Sequence, residues 1–267
     1  MLPRLLLVIA LCLPLPRLAL GHEFWIEPEK YQVETGMPLI ADLVIGQGFE
    51  GSPQMFFDTR IARFELHQSG QVAPYVGRMG DIPALESAFE DPGLLVIVHQ
   101  TQPSTLKYHE WSKFQAFVDE KGFGDVLSRH LSRGLPKDGF YESYTRYAKS
   151  LIAVGDGSGV DLVTGMEIEF VAGANPYIDD LLQGLPVQLW YQDQPLTQTQ
   201  ITIFERAPSG DVDIKTLQTD DAGRAMIPTH PGHTYLLDAV VLRSAPEDSE
   251  AVWDTLWAAL TFFVPDR

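Results

Sequence analysis

Cysteine is almost absent from this sequence. The only one is Cys12, which lies in the apolar stretch at the N terminus. A single cysteine cannot form an intrachain disulfide, and thiolate metal sites usually combine several cysteines with histidine. If the N-terminal stretch is removed, cysteine nucleophiles and thiolate ligands are excluded altogether. Any metal ion would then be held by nitrogen and oxygen atoms.

Positive charge is also scarce. The 267 residues include 19 Lys and Arg against 36 Asp and Glu, which gives a formal net charge of −17 at pH 7. Nucleic acid and anionic membranes repel such a chain, so we expect no nucleic-acid partner. An acidic chain attracts cations, although acidity often serves only solubility.

Apolar runs long enough to span a bilayer are missing too. The N-terminal apolar run, residues 5–15, is too short for a spanning helix. Arg4 precedes it, and the small residues Ala19 and Gly21 follow it. This order is typical of a secretory signal peptide that is cut after Gly21.

We therefore predict a signal peptide over residues 1–21, a periplasmic or secreted location, and no membrane-spanning segment after cleavage. The mature chain would begin at His22. It would carry 17 basic and 36 acidic residues, a net charge of −19. Its length suits one large or two medium domains.

The hydrophobic pattern predicts a mainly β protein. Alternating runs such as "LIADLVIGQ", "IARFELHQSG" and "GLLVIVHQT" are separated by turns rich in Gly and Pro, which is typical of a β-sandwich. In "YHEWSKFQAFVDEKGFGDVLSRHLSRG" the apolar residues recur at helical spacing, which predicts two short helices. The next segment, "YESYTRYAKSLIAVG", fits either a helical turn or an extended lead into a strand.

A glycine-rich segment, "GDGSGVDLVTG", follows Val154 and predicts a domain boundary. We expect an N-terminal β-sandwich with a helical insert over residues 22–154. Further runs, including "LPVQLWYQ", "TQITIFER" and "TYLLDAVVLR", predict an immunoglobulin-like β-sandwich over residues 155–267. A single continuous sheet through residues 154–160 would argue against this division.

His22 is the leading candidate for a metal ligand. At a free N terminus it offers an α-amine and an imidazole, both of which can be neutral near pH 7 and together chelate an ion. A second imidazole must come from elsewhere, and we predict His99 because it ends a buried strand. This donor set suits Ni²⁺, Co²⁺ or Cu²⁺. The alternative is that His22 merely follows the cut, beside an anchor formed by "FWI".

Other polar groups are expected to be structural. His230 and His233 in "HPGH" could close a turn around an ion, but a tightened loop is the simpler interpretation. Arg146 and Lys149, among regularly spaced tyrosines, could line a pocket or accept an anion. Packing of the tyrosine rings with solvated cations is favoured instead. No G-x-S-x-G or HExxH motif occurs, so we predict no catalytic site.

Several motifs together resemble the bacterial DUF4198 proteins. They are "HEFWIEP" after the signal, the central "YTRYAKSLIAVG", "NPY", "LPVQLWYQDQPL", "TDDAGRAMI", and "AALTF" after "WDTLW". They extend from His22 to Val264 in a consistent order. The resemblance implies periplasmic β-rich proteins with a proposed link to nickel or cobalt uptake, and it supplies no catalytic residues. The C-terminal half also resembles the carboxypeptidase-regulatory, transthyretin-like sandwich.

From these observations we expect an exported, non-catalytic binding or accessory protein for nickel, cobalt or copper, with no organic cofactor. Its partners would be the metal ion and a component of a membrane transporter. Two alternatives stay open. One is an envelope scaffold or adhesion module that binds protein or sugar. The other is a copper oxygenase that uses His22 and a second histidine as a histidine brace.

Overall fold

The computed structural model describes residues 22–266, so the predicted signal peptide lies outside the described residues. The described chain is mainly β, as the alternating pattern predicted. The elements before residue 110 are β1 (Glu23–Pro28), β2 (Gln32–Val33), β3 (Pro38–Gln47), β4 (Glu50–Gln54), a 3₁₀ turn (Asp58–Arg60), β5 (Ile61–Gln68), β6 (Gln71–Pro74), β7 (Leu85–Ala88), β8 (Gly93–Thr101) and β9 (Ser104–Tyr108).

Two helices and a long strand follow, and the rest of the described chain is again β. These elements are α1 (Trp111–Glu120), α2 (Val126–Ser132), β10 (Phe140–Val154), β11 (Ile168–Ala172), β12 (Leu185–Tyr191), β13 (Gln194–Pro195), β14 (Gln200–Arg206), β15 (Val212–Gln218), β16 (Arg224–Ile227), β17 (Thr234–Ser244) and β18 (Ala251–Phe263). The two helices of the predicted insert are confirmed.

A ten-stranded central sheet organises the molecule. Its strands run in the order β15-β14-β17-β18-β10-β8-β5-β6, and β2 and β9 also pair with β10. A four-stranded sheet contains β1, β3, β4 and β7, and a second contains β11, β12, β13 and β16. We call these the N-terminal and C-terminal side sheets.

The side sheets cover opposite faces of the central sheet. Successive residues of a strand point to opposite faces, so Lys149 and Ser150 of β10 face different ways. Thr261 Oγ1 donates a hydrogen bond to the carbonyl of Ile26 in β1 and can accept one from Ser150 Oγ, which lies 2.8 Å away. Lys149 Nζ instead donates to the carbonyl of Phe170 in β11. Three layers of sheet result, with apolar side chains packed between them.

The helical insert lies on the same face as the N-terminal side sheet. The ring of Phe117 in α1 stacks on Trp257 at a centroid distance of 5.7 Å. Trp257 and Thr261 are four residues apart on β18 and so point to one side. Lys121, which follows α1, binds Glu23 of β1 and Asp238 of β17. The insert therefore closes this face beside β1.

The glycine-rich segment connects two halves that share the central sheet. Residues 155–167 form no helix or strand. However, β10, which precedes the predicted boundary, pairs in parallel with β18, which follows it. Strands from both sides of residue 154 therefore share the central sheet, and the division into two domains stays a prediction. Limited proteolysis would test whether the halves unfold independently.

The tyrosine segment whose structure the pattern left open is a strand. Tyr141, Tyr144 and Tyr147 all lie in β10, which pairs with β18 and then β2 along one edge and with β9 and then β8 along the other. Pairing on both edges fixes the extended conformation. Among the described residues, neither helix is long and apolar enough to cross a membrane.

Candidate metal centre

A carboxylate lies inside the apolar part of strand β14. Glu205 is only 6% exposed and follows the buried residues Ile203 and Phe204. Its neighbours across the sheet are Asp213 on β15 and Tyr235 on β17. The Tyr235 hydroxyl donates a hydrogen bond of 2.8 Å to Glu205 Oε1. The sheet therefore fixes the backbone of Glu205, and the hydrogen bond from Tyr235 orients its carboxylate.

The loop before β17 brings two imidazoles to this carboxylate. Gly232 has a φ of 77°, a left-handed conformation that glycine adopts without strain. Its amide donates to the Val264 carbonyl, and the Val264 amide donates to the His233 carbonyl. The His230 amide donates to the Tyr235 hydroxyl at 2.7 Å. The loop is thus tied to β17 and to the end of β18.

Glu205, His230 and His233, which we call the Glu205 cluster, converge on one point. One ligand atom from each lies within 4.8 Å of the other two. His230 Nδ1 is 2.5 Å from Glu205 Oε1 and forms a hydrogen bond with it. His233 Nδ1 is 2.9 Å from the same oxygen. Its orientation is not that of a hydrogen bond, and this shielded atom has no such partner among the described residues.

The carboxylate of the Glu205 cluster is held in its charged form. Burial alone would raise the pKa of Glu205, but hydrogen bonds from His230 and Tyr235 and nearby positive charge lower it below its ordinary value. Lys215 contributes to that charge, with Nζ 3.5 Å from Glu205 Oε2. Lys215 also pairs with Asp213 at 2.6 Å. An ionised carboxylate is the form that binds a cation.

Two imidazole nitrogens and one carboxylate oxygen are a suitable donor set for a divalent transition metal. His230 is exposed and His233 is half-buried. Three protein ligands at an accessible position leave room for water or another ligand on the ion. In residues 22–266, this is the one group of three or more His, Cys, Asp and Glu side chains with such spacing.

The two ligands predicted from sequence lie elsewhere. His22 is half-buried, and its carbonyl accepts a hydrogen bond of 3.2 Å from Arg146 Nη2. His99 is 2% exposed on β8. Its ring contacts Phe24 and Phe64 at centroid distances of 5.0 and 5.1 Å. The proposed chelate at His22 also uses its α-amine, which is free only if the chain is cut before His22. A shared ion at His22 and His99 therefore stays a prediction.

His99 is chemically unusual. Neither ring nitrogen has a hydrogen-bond partner among the described residues. Burial lowers the pKa of His99 to about 3, so the ring is neutral near pH 7. It lines a cavity of about 510 Å³, together with Phe24 and Arg146. Arg146 also donates a hydrogen bond to the His22 carbonyl, so one residue of the cavity wall contacts His22.

Two other histidines have ordinary partners. His130 accepts a hydrogen bond from Trp253 Nε1, and its other nitrogen lies 2.8 Å from the Pro136 carbonyl. His67 Nε2 lies 2.9 Å from Glu65 Oε2. Both fit the expectation that most of these histidines are structural.

Sequence reasoning considered the two histidines of the Glu205 cluster but missed its carboxylate. Glu205 is 25 residues from His230, and only the pairing of β14 with β17 brings them together. The available signal was a charged residue placed inside an otherwise apolar strand, "ITIFE". Such a residue needs a partner because burying an unpaired charge is unfavourable.

Comparison with known proteins identifies one family. No curated protein matches the sequence. The D0-D1 domain of Intimin is a similar solved structure, at 14% identity and a TM-score of 0.20, over 90% of this chain and 97% of that chain. A likeness at that score carries no argument about this protein. The family model described as "Domain of unknown function (DUF4198)" matches residues 19–243, which include all three residues of the Glu205 cluster. The chain therefore belongs to the DUF4198 family.

Proposed function

We propose that this protein is an exported, non-catalytic binding protein for a divalent transition metal ion, either nickel, cobalt or copper. It takes up the ion outside the cytoplasm and passes it to a membrane transporter. The observation that carries the proposal is the convergence of Glu205, His230 and His233, whose ligand atoms lie within 4.8 Å of one another.

The chemistry of the Glu205 cluster supports an ion rather than a simple hydrogen-bonded loop. A loop needs only one of the two imidazoles on the carboxylate, and His230 already forms that hydrogen bond. His233 Nδ1 is shielded from solvent and yet makes no hydrogen bond with described residues. An ion bound between the three side chains would use this nitrogen and would replace the hydrogen bond of His230.

The position of the cluster supports reversible binding. Structural metal sites are closed by four protein ligands, whereas this one offers three side chains. His230 is 59% exposed through its side chain, so an ion can enter and leave from solvent. That arrangement suits a protein that carries an ion and releases it.

Calorimetry with Ni²⁺, Co²⁺ and Cu²⁺ tests the proposal. The starting protein is a chain with one alanine added before His22, which moves the free amine away from the His22 imidazole. In this background we expect one ion per chain. Glu205→Gln and His233→Ala should each weaken binding by at least about tenfold. Binding should also weaken as the pH falls, because protons compete for the imidazoles.

The matched control is His67→Ala. It removes a histidine that also contacts a carboxylate, Glu65, but in a pair without a third ligand. We expect the affinity to stay within about twofold of the parent. If Glu205→Gln binds as tightly as the control, the ion is held elsewhere and the Glu205 cluster is only a loop support.

His22 and His99 are a second proposed site for the ion. If they bind one, the chain that begins at His22 should bind one more ion than the chain with the added alanine. His22→Ala should abolish this additional binding as completely as the added alanine does. Equal stoichiometry for the native and extended chains would refute the amine chelate. It would leave the Glu205 cluster untouched, so the two sites are tested separately.

A further inference from the structure

The cavity beside His99 has no part in the Glu205 cluster. It lies between β1 and β3 of the N-terminal side sheet and β8 and β10 of the central sheet, and it has a volume of about 510 Å³. Ligand pockets for small molecules typically range from about 300 to 1,000 Å³. Exposed residues, Met55 and Arg60, lie at its rim. A small molecule can therefore reach it from solvent.

The charge of this cavity is opposite to that of the chain. None of its lining residues is acidic, although the sequence contains 36 Asp and Glu. Two arginines, Arg60 and Arg146, do line it. In a protein with a net charge of −17, this is a local positive site.

Arg146 is half-buried and lacks the carboxylate partners that the buried cations have. Lys121 and Lys149, which are buried, each bind at least two carboxylates. The described ion pairs include none for Arg146. Its guanidinium donates to the His22 carbonyl and lies over the Tyr144 ring at 4.7 Å. Its Nε is shielded from solvent and has no acceptor among the described residues.

The two carboxylates whose charges act on Arg146 already form hydrogen bonds with other residues. Asp238 and Glu142 both act on the charge of Arg146. However, Asp238 Oδ2 accepts a hydrogen bond from Lys121 at 2.9 Å. Glu142 accepts hydrogen bonds from Tyr108 and Thr255. Since a guanidinium stays protonated in proteins, Arg146 presents a positive charge that the fold leaves without a direct counter-ion.

His99 adds unused hydrogen-bonding capacity to the same cavity. A neutral imidazole carries one donor and one acceptor. Both are unpaired here, although the side chain is 2% exposed. Unsatisfied polar atoms in a native protein are rare and call for an explanation. A ligand in the cavity would supply the partner that the protein lacks.

We propose that the His99 cavity binds a small organic carboxylate. Arg146 pairs with the carboxylate, and His99 forms a hydrogen bond with a second polar group of the ligand. Phe24, Leu43 and Ile45 supply an apolar wall for its carbon skeleton. The guanidinium matches a carboxylate in charge and shape, which a neutral ligand does not exploit. This site is independent of the Glu205 cluster.

The test compares acids with their amides. The chain beginning at His22 is titrated by calorimetry, in the presence of EDTA, with acetate, benzoate, succinate and citrate, and with acetamide and benzamide. We expect at least one carboxylate to bind at least about tenfold more tightly than the amides and than inorganic sulfate. If no carboxylate does so, or if sulfate binds equally well, the site does not recognise organic carboxylates and the proposal is wrong.

Variants locate the binding. Arg146→Gln should weaken the carboxylate by at least about tenfold, and Arg146→Lys should weaken it less. Arg224→Gln, which removes one positive charge from an exposed position in β16, should leave it unchanged. Equal binding by Arg146→Gln and Arg224→Gln would overturn the proposal.

A measurement on the unaltered sequence covers the case in which Arg146→Gln fails to fold. In protein with ¹⁵N-labelled histidine, the bound carboxylate should shift the ring nitrogens of His99. It should not shift those of His130, whose nitrogens are already occupied. Shifts confined to other histidines, or no shift at saturation, would place the ligand outside this cavity and refute the assignment.

Discussion

His99 and His130 occupy similar surroundings but have different hydrogen bonding. Both are almost fully buried, at 2% and 0% exposure, and both are packed against aromatic rings. Trp253 Nε1 donates to His130 Nδ1, and His130 Nε2 therefore donates to the Pro136 carbonyl. His99 has no such partner for either nitrogen among the described residues.

The difference separates a structural histidine from a functional one. The hydrogen bonds of His130 link α2 to β18, and they offset the unfavourable free energy of burying a polar ring. No described residue forms such hydrogen bonds with His99. A leucine at this position would leave no buried nitrogen unpaired, so a ligand of the cavity explains the imidazole better than protein stability does.

Replacing His130 should have the largest effect on stability. His130→Leu leaves the Trp253 indole N–H and the Pro136 carbonyl without partners. We expect a loss of about 3 kcal/mol in the free energy of unfolding, because each buried unsatisfied group costs about 1–3 kcal/mol. Urea unfolding at pH 7 measures it. His109→Leu, at an exposed position before α1, is the control and should change the stability little. A loss as small as that of the control would mean that His130 is not structural.

Acidification should lower the stability of the protein through protonation of His99 in the unfolded state. Burial lowers the pKa of folded His99 from 6.5 to about 3. Between these values the unfolded state binds a proton that the folded state does not. Stability from this group is therefore present above pH 6.5 and is lost as the pH falls toward 3. We expect the unaltered protein to lose about 2 kcal/mol relative to His99→Leu between pH 7 and pH 5.

The comparison with His99→Leu is essential, because other groups titrate in the opposite sense. Burial raises the pKa of Glu23 and of Glu142 to about 7. Their folded forms bind protons more readily than their unfolded forms, so these groups favour folding as the pH falls through 7 toward 4.5. Both proteins contain them, and the difference between the two unfolding curves isolates His99. Parallel curves would show that the His99 ring is solvated or paired.

At pH 7, His99→Leu should change the free energy of unfolding less than His130→Leu does, and in the opposite direction. His99→Leu removes two unpaired nitrogens and adds apolar contacts with Phe24 and Phe64. We expect it to stabilise the protein by about 1 kcal/mol, measured by urea unfolding. A destabilisation close to that of His130→Leu would mean that His99 is structural and would remove one support of the cavity proposal.

Removing the exposed cation beside the Glu205 cluster should give the smallest effect. Lys215→Ala removes a half-exposed cation whose Nζ lies 3.5 Å from the Glu205 carboxylate. We expect the affinity for Ni²⁺ to rise about two- to fourfold, since a solvated charge at this distance contributes below about 1 kcal/mol. Lys113→Ala, which removes the same charge from α1, should not change it. A fall in affinity would show that Lys215 positions Glu205 rather than competing with the ion.

The sequence was informative where local patterns decide structure. The alternation in "IARFELHQSG" predicted β5, because successive residues of a strand point to opposite faces of its sheet. The helical spacing of Phe114, Phe117 and Val118 predicted α1. These patterns need no knowledge of distant residues.

Features that depend on pairing between distant residues could not be predicted from the sequence. Tyrosines three apart left β10 undecided, and its extended form comes from strands that are distant in sequence. The Glu205 cluster depends on the β14–β17 pairing, and the unpaired state of Arg146 depends on where Lys121 and Lys149 find their carboxylates. The glycine-rich segment predicted a domain boundary, but local composition does not reveal that β10 and β18, on either side of it, pair in one sheet.

The position of β18 also affects when the protein can fold. This strand is the last that the structure describes, and it lies in the middle of the ten-stranded sheet, between β17 and β10. Until it is available, the edges of β10 and β17 stay open and the two halves of the sheet cannot join. Proteins dominated by such distant pairings fold slowly. If the chain is exported as we propose, its core can close only after β18 has crossed the membrane, and the preceding strands stay unfolded enough to be translocated until then.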